Sequence, residues 1–324
     1  MRRLGSLLVL FVLLGSIWLF VNRQMVMDTV VAQKYDVPSE MTQIGNDITL
    51  TDQATFLLDA SQAQIADQSL FNAKCQKREQ NSVVLGCYIH PHELYVYRVT
   101  DSRLSGVVET TTAHELLHAV YLRLDDQEKK RINTLLEKSL PEALRDNPSL
   151  QKRIELYDRI EPGERLNELH SIIGTEVTSI PSSLEEHYKK YFKDRAKVVS
   201  YAKKYTAIFQ ELQSQQAAIV EYLKQLAQQI TREKEAYAEN IQALNSDINA
   251  FNKRAQQLNG FSSESEYNNL RSSLLNRSEE MNTARQDINQ MIDTYNEKRD
   301  ELQALNIEVD ELNSKLDSST PLQL

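Results

Sequence analysis

From residue 182 to residue 259 the chain has neither glycine nor proline, and apolar residues return at steps of three and four. They are Leu223, Leu226, Ile230, Tyr237, Ile241, Leu244, Ile248, Phe251, Ala255 and Leu258. Asn259-Gly260 breaks the run, and the polar stretch FSSESEY follows. A second run then keeps a strict heptad through Leu274, Met281, Ile288, Tyr295, Leu302, Val309 and Leu316, with Ala284, Met291, Leu305 and Leu312 at companion positions. Sustained apolar a and d positions with charged flanks predict a coiled coil. Two such helices with a short polar turn near 259–266 are expected to fold back as an antiparallel hairpin over 191–318, leaving 319–324 as a tail. An intermolecular coiled coil is the competing arrangement.

The amino-terminal pattern differs. Arg2 and Arg3 precede an uncharged run over 4–21, with Trp18 near its far end and Arg23 just beyond. At 1.5 Å per residue this run reaches about 27 Å, close to the hydrocarbon thickness of a bilayer. The pattern predicts a transmembrane anchor over 1–24, with the amino terminus cytoplasmic and the bulk outside. The expected location is the cell membrane, as a single-pass protein. A cleaved signal peptide is the alternative and also places the rest outside the cytoplasm. Residues 25–47 read as a linker broken by Pro38 and Gly45.

Between these regions, 48–190 read as one small domain. Ala54, Leu57, Leu58, Ile65 and Leu70 suggest a helix over 51–72, with Asp52 in its first turn. VVLGCY at 83–88 and LYVYRV at 94–99 are β-branched and aromatic and read as short strands. The alternation of the second is imperfect, so one face is expected to be only partly covered. A helix follows over 110–124, with Thr110, Thr111 and Thr112 as candidate N-caps. Further helices are expected over 126–139 and 148–160, with Asp125 and Asp126 as caps. Another runs over 164–173, closed by Gly174.

The length of 324 residues suits two domains, and 8 glycines with 7 prolines agree with long helices. A net charge of −9 argues against a nucleic-acid partner. Cys75 and Cys87 are the only cysteines, and in an exported chain they are expected to pair.

Chemistry concentrates in the helix over 110–124. His114, Glu115 and His118 form HELLH. On a helix, residues four apart share a face, so both imidazoles can reach one ion. Zinc at such a site takes a third protein ligand and leaves one position for water, whose pKa it lowers. Glu115, next to the first histidine, can take that water's proton and pass it to a leaving amine.

The stretch TTAHELLHAVYLRL resembles the zincin superfamily of metallopeptidases, over roughly residues 80–190. The resemblance implies an edge strand before the motif helix, zinc bound by His114 and His118, and Glu115 as catalytic base. It does not extend to the metzincin pattern HExxHxxGxxH, because Tyr121 and Leu124 stand at the later positions. What remains is a gluzincin-like arrangement, in which a downstream glutamate completes the site. In RLNELHSIIGTE, Asn167-Glu168 is similar to the Asn-Glu pair of several gluzincins, which makes Glu168 the expected third ligand. His170 and Glu176 stay open as alternatives. A His or Tyr that stabilises the oxyanion is usual in such enzymes, and His187 is the candidate here, ahead of Tyr188. His90 and His92 flank Pro91 and read as loop residues that could touch substrate.

The expected fold is therefore mainly α: a small α+β zincin-like catalytic domain followed by a long antiparallel coiled-coil hairpin. The expected function is zinc-dependent hydrolysis of peptide bonds in extracytoplasmic proteins or peptides. The hairpin would serve self-association or a protein partner. The alternative is a non-catalytic coiled-coil scaffold of the cell envelope carrying a degenerate zincin domain.

Overall fold

The computed structural model describes residues 13–75, 84–160 and 163–318. The chain divides into two units: residues up to 209 together with those from 311 onward, and residues 210–310. The first unit thus runs past residue 190 and also includes residues 311–318.

The first unit begins with α1 (Arg23–Lys34) and α2 (Ser39–Asp47), then α3 (Asp52–Ala60). Residues 25–47 are helical, not a linker. Met41 and Ile44, with Ile48 just past the helix, follow the three- and four-residue steps of a helix face and are buried in the main core. Pro38 sits at the N-cap of α2, where its missing N–H costs nothing. The helix expected over 51–72 is also interrupted. Thr51 caps α3, Gln62 takes a positive φ, and Asp67 caps α4 (Gln68–Lys74) after the short strand β1 (Gln64–Ala66).

β2 (Gly86–Ile89) and β3 (Glu93–Tyr97) complete a sheet of order β1-β3-β2. β1 runs parallel to β3 and β2 antiparallel, with Cys87 opposite Tyr95. Both faces of β3 are covered, contrary to expectation. Leu94 and Val96 point into the main core, and Tyr95 and Tyr97 into a smaller cluster with Ala66, Phe71 and Cys75. Cys75 and Cys87 form a disulfide that ties the end of α4 to β2.

Then come α5 (Val107–Arg123), α6 (Asp126–Asp146), α7 (Ser149–Ile160), α8 (Arg165–Glu176) and α9 (Ser182–Tyr188). Gly106 caps α5 in a left-handed conformation, so the three threonines lie inside the helix. Asp125 caps α6 as expected, accepting from the Glu128 N–H. α8 continues through Gly174 because that position faces Leu117 and Tyr188: a Cβ there would stand 2.4 Å from Leu117 Cδ1.

Two long helices follow, α10 (Arg195–Ala255) and α11 (Glu264–Leu316). Within the second unit, Arg277 donates to Asp247 and Gln216 to Asn306, so positions late on one helix meet positions early on the other. Leu223, Leu226, Ile230, Leu244 and Ile288 are buried, and Leu274, Met281, Tyr295, Leu302 and Val309 are half-buried. α10 ends before Leu258, which is 97% exposed and leaves the expected apolar stripe. Asn259 adopts a positive φ at the turn.

The expected span over 4–21 falls in part on residues 1–12, outside those described. Residues 13–21 are helical and apolar but lead into α1, which carries Arg23, Gln24 and Asp28. Among the described residues no helix is long and apolar enough to cross a membrane, and this corrects the expected single-pass anchor and the cell-membrane location drawn from it.

Candidate metal centre

α5 and α8 pack side by side in the main core, and this contact builds the site. Leu116, Leu117 and Val120 bury one side of α5, which turns His114, Glu115 and His118 toward α8 and β2. The potential ligand atoms of these three residues lie within 4.8 Å of one another. The imidazoles of His114 and His118 meet edge to face with centroids 4.8 Å apart.

Glu168 comes from the first turn of α8. One carboxylate oxygen lies 3.5 Å from His114 Nε2 and the other 3.5 Å from His118 Nε2. These distances are long for hydrogen bonds. They are close to the separation of about 3.3 Å that tetrahedral bonds of 2.0–2.1 Å impose on two ligands of one zinc ion. Glu168 Oε2 is buried and lacks a hydrogen-bond partner, a costly state for a carboxylate unless a cation takes it. Burial alone would raise this carboxyl, but the positive charge that His118 and His114 carry when protonated, together with Arg153, outweighs it and lowers the pKa to about 2. Two imidazoles and a carboxylate converging in this way are donor types that a divalent ion such as zinc takes.

The neighbours orient these side chains. Asn167 Oδ1 lies 3.0 Å from His118 Nδ1, and Asn167 Nδ2 donates to Glu164. With its amide nitrogen committed to Glu164, Asn167 offers an acceptor. His118 therefore carries a hydrogen on Nδ1, which fixes the ring with Nε2 on the side of Glu168.

Glu115 is buried against β2. Burial, chiefly, raises its pKa to about 7, opposed by His118 and by a hydrogen bond from the Tyr88 backbone. Gly86 makes room for it: a Cβ there would lie 2.6 Å from Glu115 Cγ and 2.6 Å from Thr111 Cγ2. At the far end of α5, Arg123 holds three elements together. It donates to buried Asp28 of α1, to the Tyr88 hydroxyl and to the Pro91 carbonyl.

The remaining sequence candidates stand elsewhere. His170, two residues beyond Glu168, faces away from it, with Nε2 2.9 Å from His187 Nε2. Glu176 receives both guanidinium nitrogens of Arg153, at 2.6 and 2.9 Å. His187 is 1% exposed, so a substrate has no access to it and the expected oxyanion role is not met. Tyr188 is equally buried and donates to the His170 carbonyl. His92 Nδ1 lies 3.0 Å from the Ala60 carbonyl, while His90 is exposed beside the Tyr88 ring.

Sequence reasoning passed over three residues that matter here. Gly86, a lone glycine in a strand pattern, is a known sign of close backbone approach. Asn167 was visible only as the neighbour of Glu168, not as the partner of His118. Asp28 carried no local signal, because its partner lies far along the chain. Comparison of the chain with protein-family models, with curated proteins and with solved structures finds no match.

Proposed function

We propose that the chain is a zinc metallopeptidase that hydrolyses peptide bonds in proteins or peptides. The observation that carries this reading is the Glu168 carboxylate, whose two oxygens lie 3.5 Å from the Nε2 atoms of the two motif imidazoles. His114, His118 and Glu168 would hold the ion. When bound, zinc supplies an acidified water and a Lewis acid for the scissile carbonyl. Glu115 takes the proton of the attacking water on its carboxylate and delivers it to the departing amine. Its place next to the first motif histidine, buried against β2, puts the carboxylate where both transfers need it. Gly86 and the Tyr88 backbone fix where that carboxylate stands. Asn167 keeps the His118 lone pair directed at the ion.

The same reading takes the two long helices as an antiparallel coiled-coil hairpin. The Arg277–Asp247 and Gln216–Asn306 pairs and the half-buried heptad of α11 support it. Its surface is polar and carries no convergent catalytic groups, so its role is docking of a protein partner or self-association.

The test is Glu115→Gln in the full chain. Zinc stoichiometry should stay near one, while hydrolysis of an unfolded protein substrate falls by roughly 100-fold or more. A native chain that binds no stoichiometric zinc would end the proposal. So would a Glu115→Gln chain that cleaves as fast as the native one.

A further inference from the structure

Glu168 reaches the two imidazoles only if α8 keeps its rotation and height against α5. On the α5 side, Asn167 meets His118 and Gly174 lets Leu117 approach. A pair of histidines to which the proposed reaction assigns no part ties α8 to α9, with His170 also packed on Tyr121 of α5.

His170 is wholly buried and His187 is 1% exposed. Their Nε2 atoms lie 2.9 Å apart and their ring planes are inclined at 68°. At that distance one nitrogen carries the hydrogen and the other the lone pair, so one ring donates and the other accepts at the contact. A hydrogen on both Nε2 atoms would set two N–H groups against each other. On the outer side, His187 Nδ1 lies 3.7 Å from Glu128 on α6, and Glu128 also receives Arg131 and Lys190. The next residue, Tyr188, donates to the His170 carbonyl at 2.8 Å. One residue of α8 is thus gripped by α9 at both its side chain and its backbone, two positions from the proposed ligand.

We infer that His187 is a positioning residue: through the single hydrogen shared with His170 it locks α8 in the register that brings Glu168 to the metal. The inference rests on the metallopeptidase reading and adds to it a role for a residue that touches neither metal nor substrate.

Two substitutions isolate the shared contact. In His187→Gln the side-chain amide can reach the place of Nε2; in His187→Asn it is too short. Zinc affinity of the full chain is read by competition with a chromophoric chelator, with circular dichroism to follow folding. Outer contacts of metal ligands are typically worth 10- to 100-fold in affinity, and His187→Asn should lose about tenfold while His187→Gln stays within about threefold of native. At saturating zinc, His187→Asn should lower kcat with little change in KM. A third measurement needs no variant: nitrogen NMR of the native chain should show scalar coupling between the two Nε2 nuclei across the shared hydrogen. This measurement decides the matter if His187→Asn does not fold, and absence of the coupling overturns the latch. Native-like zinc affinity in a folded His187→Asn chain also overturns it, as does equal loss in both variants, since packing would then explain the effect. Failure of the native chain to bind zinc strikes the metallopeptidase reading and the latch together. A native chain that binds zinc beside an indifferent His187→Asn chain removes the latch alone.

Discussion

At the scale of single residues, burial sets the chemistry, and it acts in opposite senses on acids and bases. His187 is a base: burial, helped by Lys190 and Arg131 and opposed by Glu128, lowers its pKa from 6.5 to about 4. Between those values the unfolded chain binds a proton that the folded chain refuses. The contribution to stability is therefore full above about pH 6.5 and is lost as pH falls toward 4. Glu115 is an acid, and burial raises its carboxyl to about 7. There the folded chain binds the extra proton between about pH 4.5 and 7, and this contribution fades as pH rises through 7. Substitution separates the two. With chelator present, urea unfolding compared at about pH 7 and about pH 4.5 should show the native chain losing more stability than His187→Gln. The expected difference is on the order of 2 kcal/mol. Equal losses in the two chains would remove His187 from the acid response.

At the scale of elements, what matters is how closely β2 and α8 approach α5. Gly86 is the test on the strand side, because a methyl group there would stand 2.6 Å from Glu115 Cγ and 2.8 Å from its carboxylate oxygen. Gly86→Ala should displace that carboxylate and lower kcat at least tenfold, with an overpacking cost of about 1–3 kcal/mol in stability. Zinc binding should fall much less, since the clash does not involve His114, His118 or Glu168. Unchanged kcat would show that the strand does not set the position of Glu115. Periodicity made α5, the long helices and the pair of strands legible in the sequence, because each is a local pattern. HELLH was legible for the same reason: its spacing is that of one helical turn. The resemblance of its Asn-Glu pair singles out Glu168, and its carboxylate oxygens lie 3.5 Å from the two motif imidazoles. What stayed hidden depended on distant partners. The helical nature of 25–47 rests on Met41, Ile44 and Ile48 meeting a core assembled from later segments. The Asp28–Arg123 pair spans 95 positions. His187 looked like a catalytic candidate because sequence gives its chemistry but not its exposure.

At the scale of the whole molecule, the chain returns at its end to the unit that holds the candidate site. Residues from 311 onward group with those before 210. Leu312 is fully buried and Leu316 is 7% exposed, although heptad spacing alone would assign both to the hairpin. Just beyond, the Ser318 carbonyl accepts from Gln68 and from Asn72 of α4. Glu311 accepts from Arg103, which lies shortly before α5. α4 is in turn joined through Cys75 and Cys87 to β2, the strand that cradles Glu115. The end of α11 is therefore part of the first unit's packing, not a free continuation of a rod. Leu→Ala at a buried position costs about 2–5 kcal/mol through lost contact and the cavity left behind. Leu312→Ala should fall in that range, and Leu316→Ala at its lower end. The two side chains lie four apart on one helix, so the double substitution is expected to depart from the sum. Thermal unfolding followed through zinc release would report on the first unit specifically. A fall in the release temperature on Leu312→Ala is the expected result. If release is unmoved while the helical signal melts earlier, the end of α11 stabilises only the long helices and has no part in holding the metal centre.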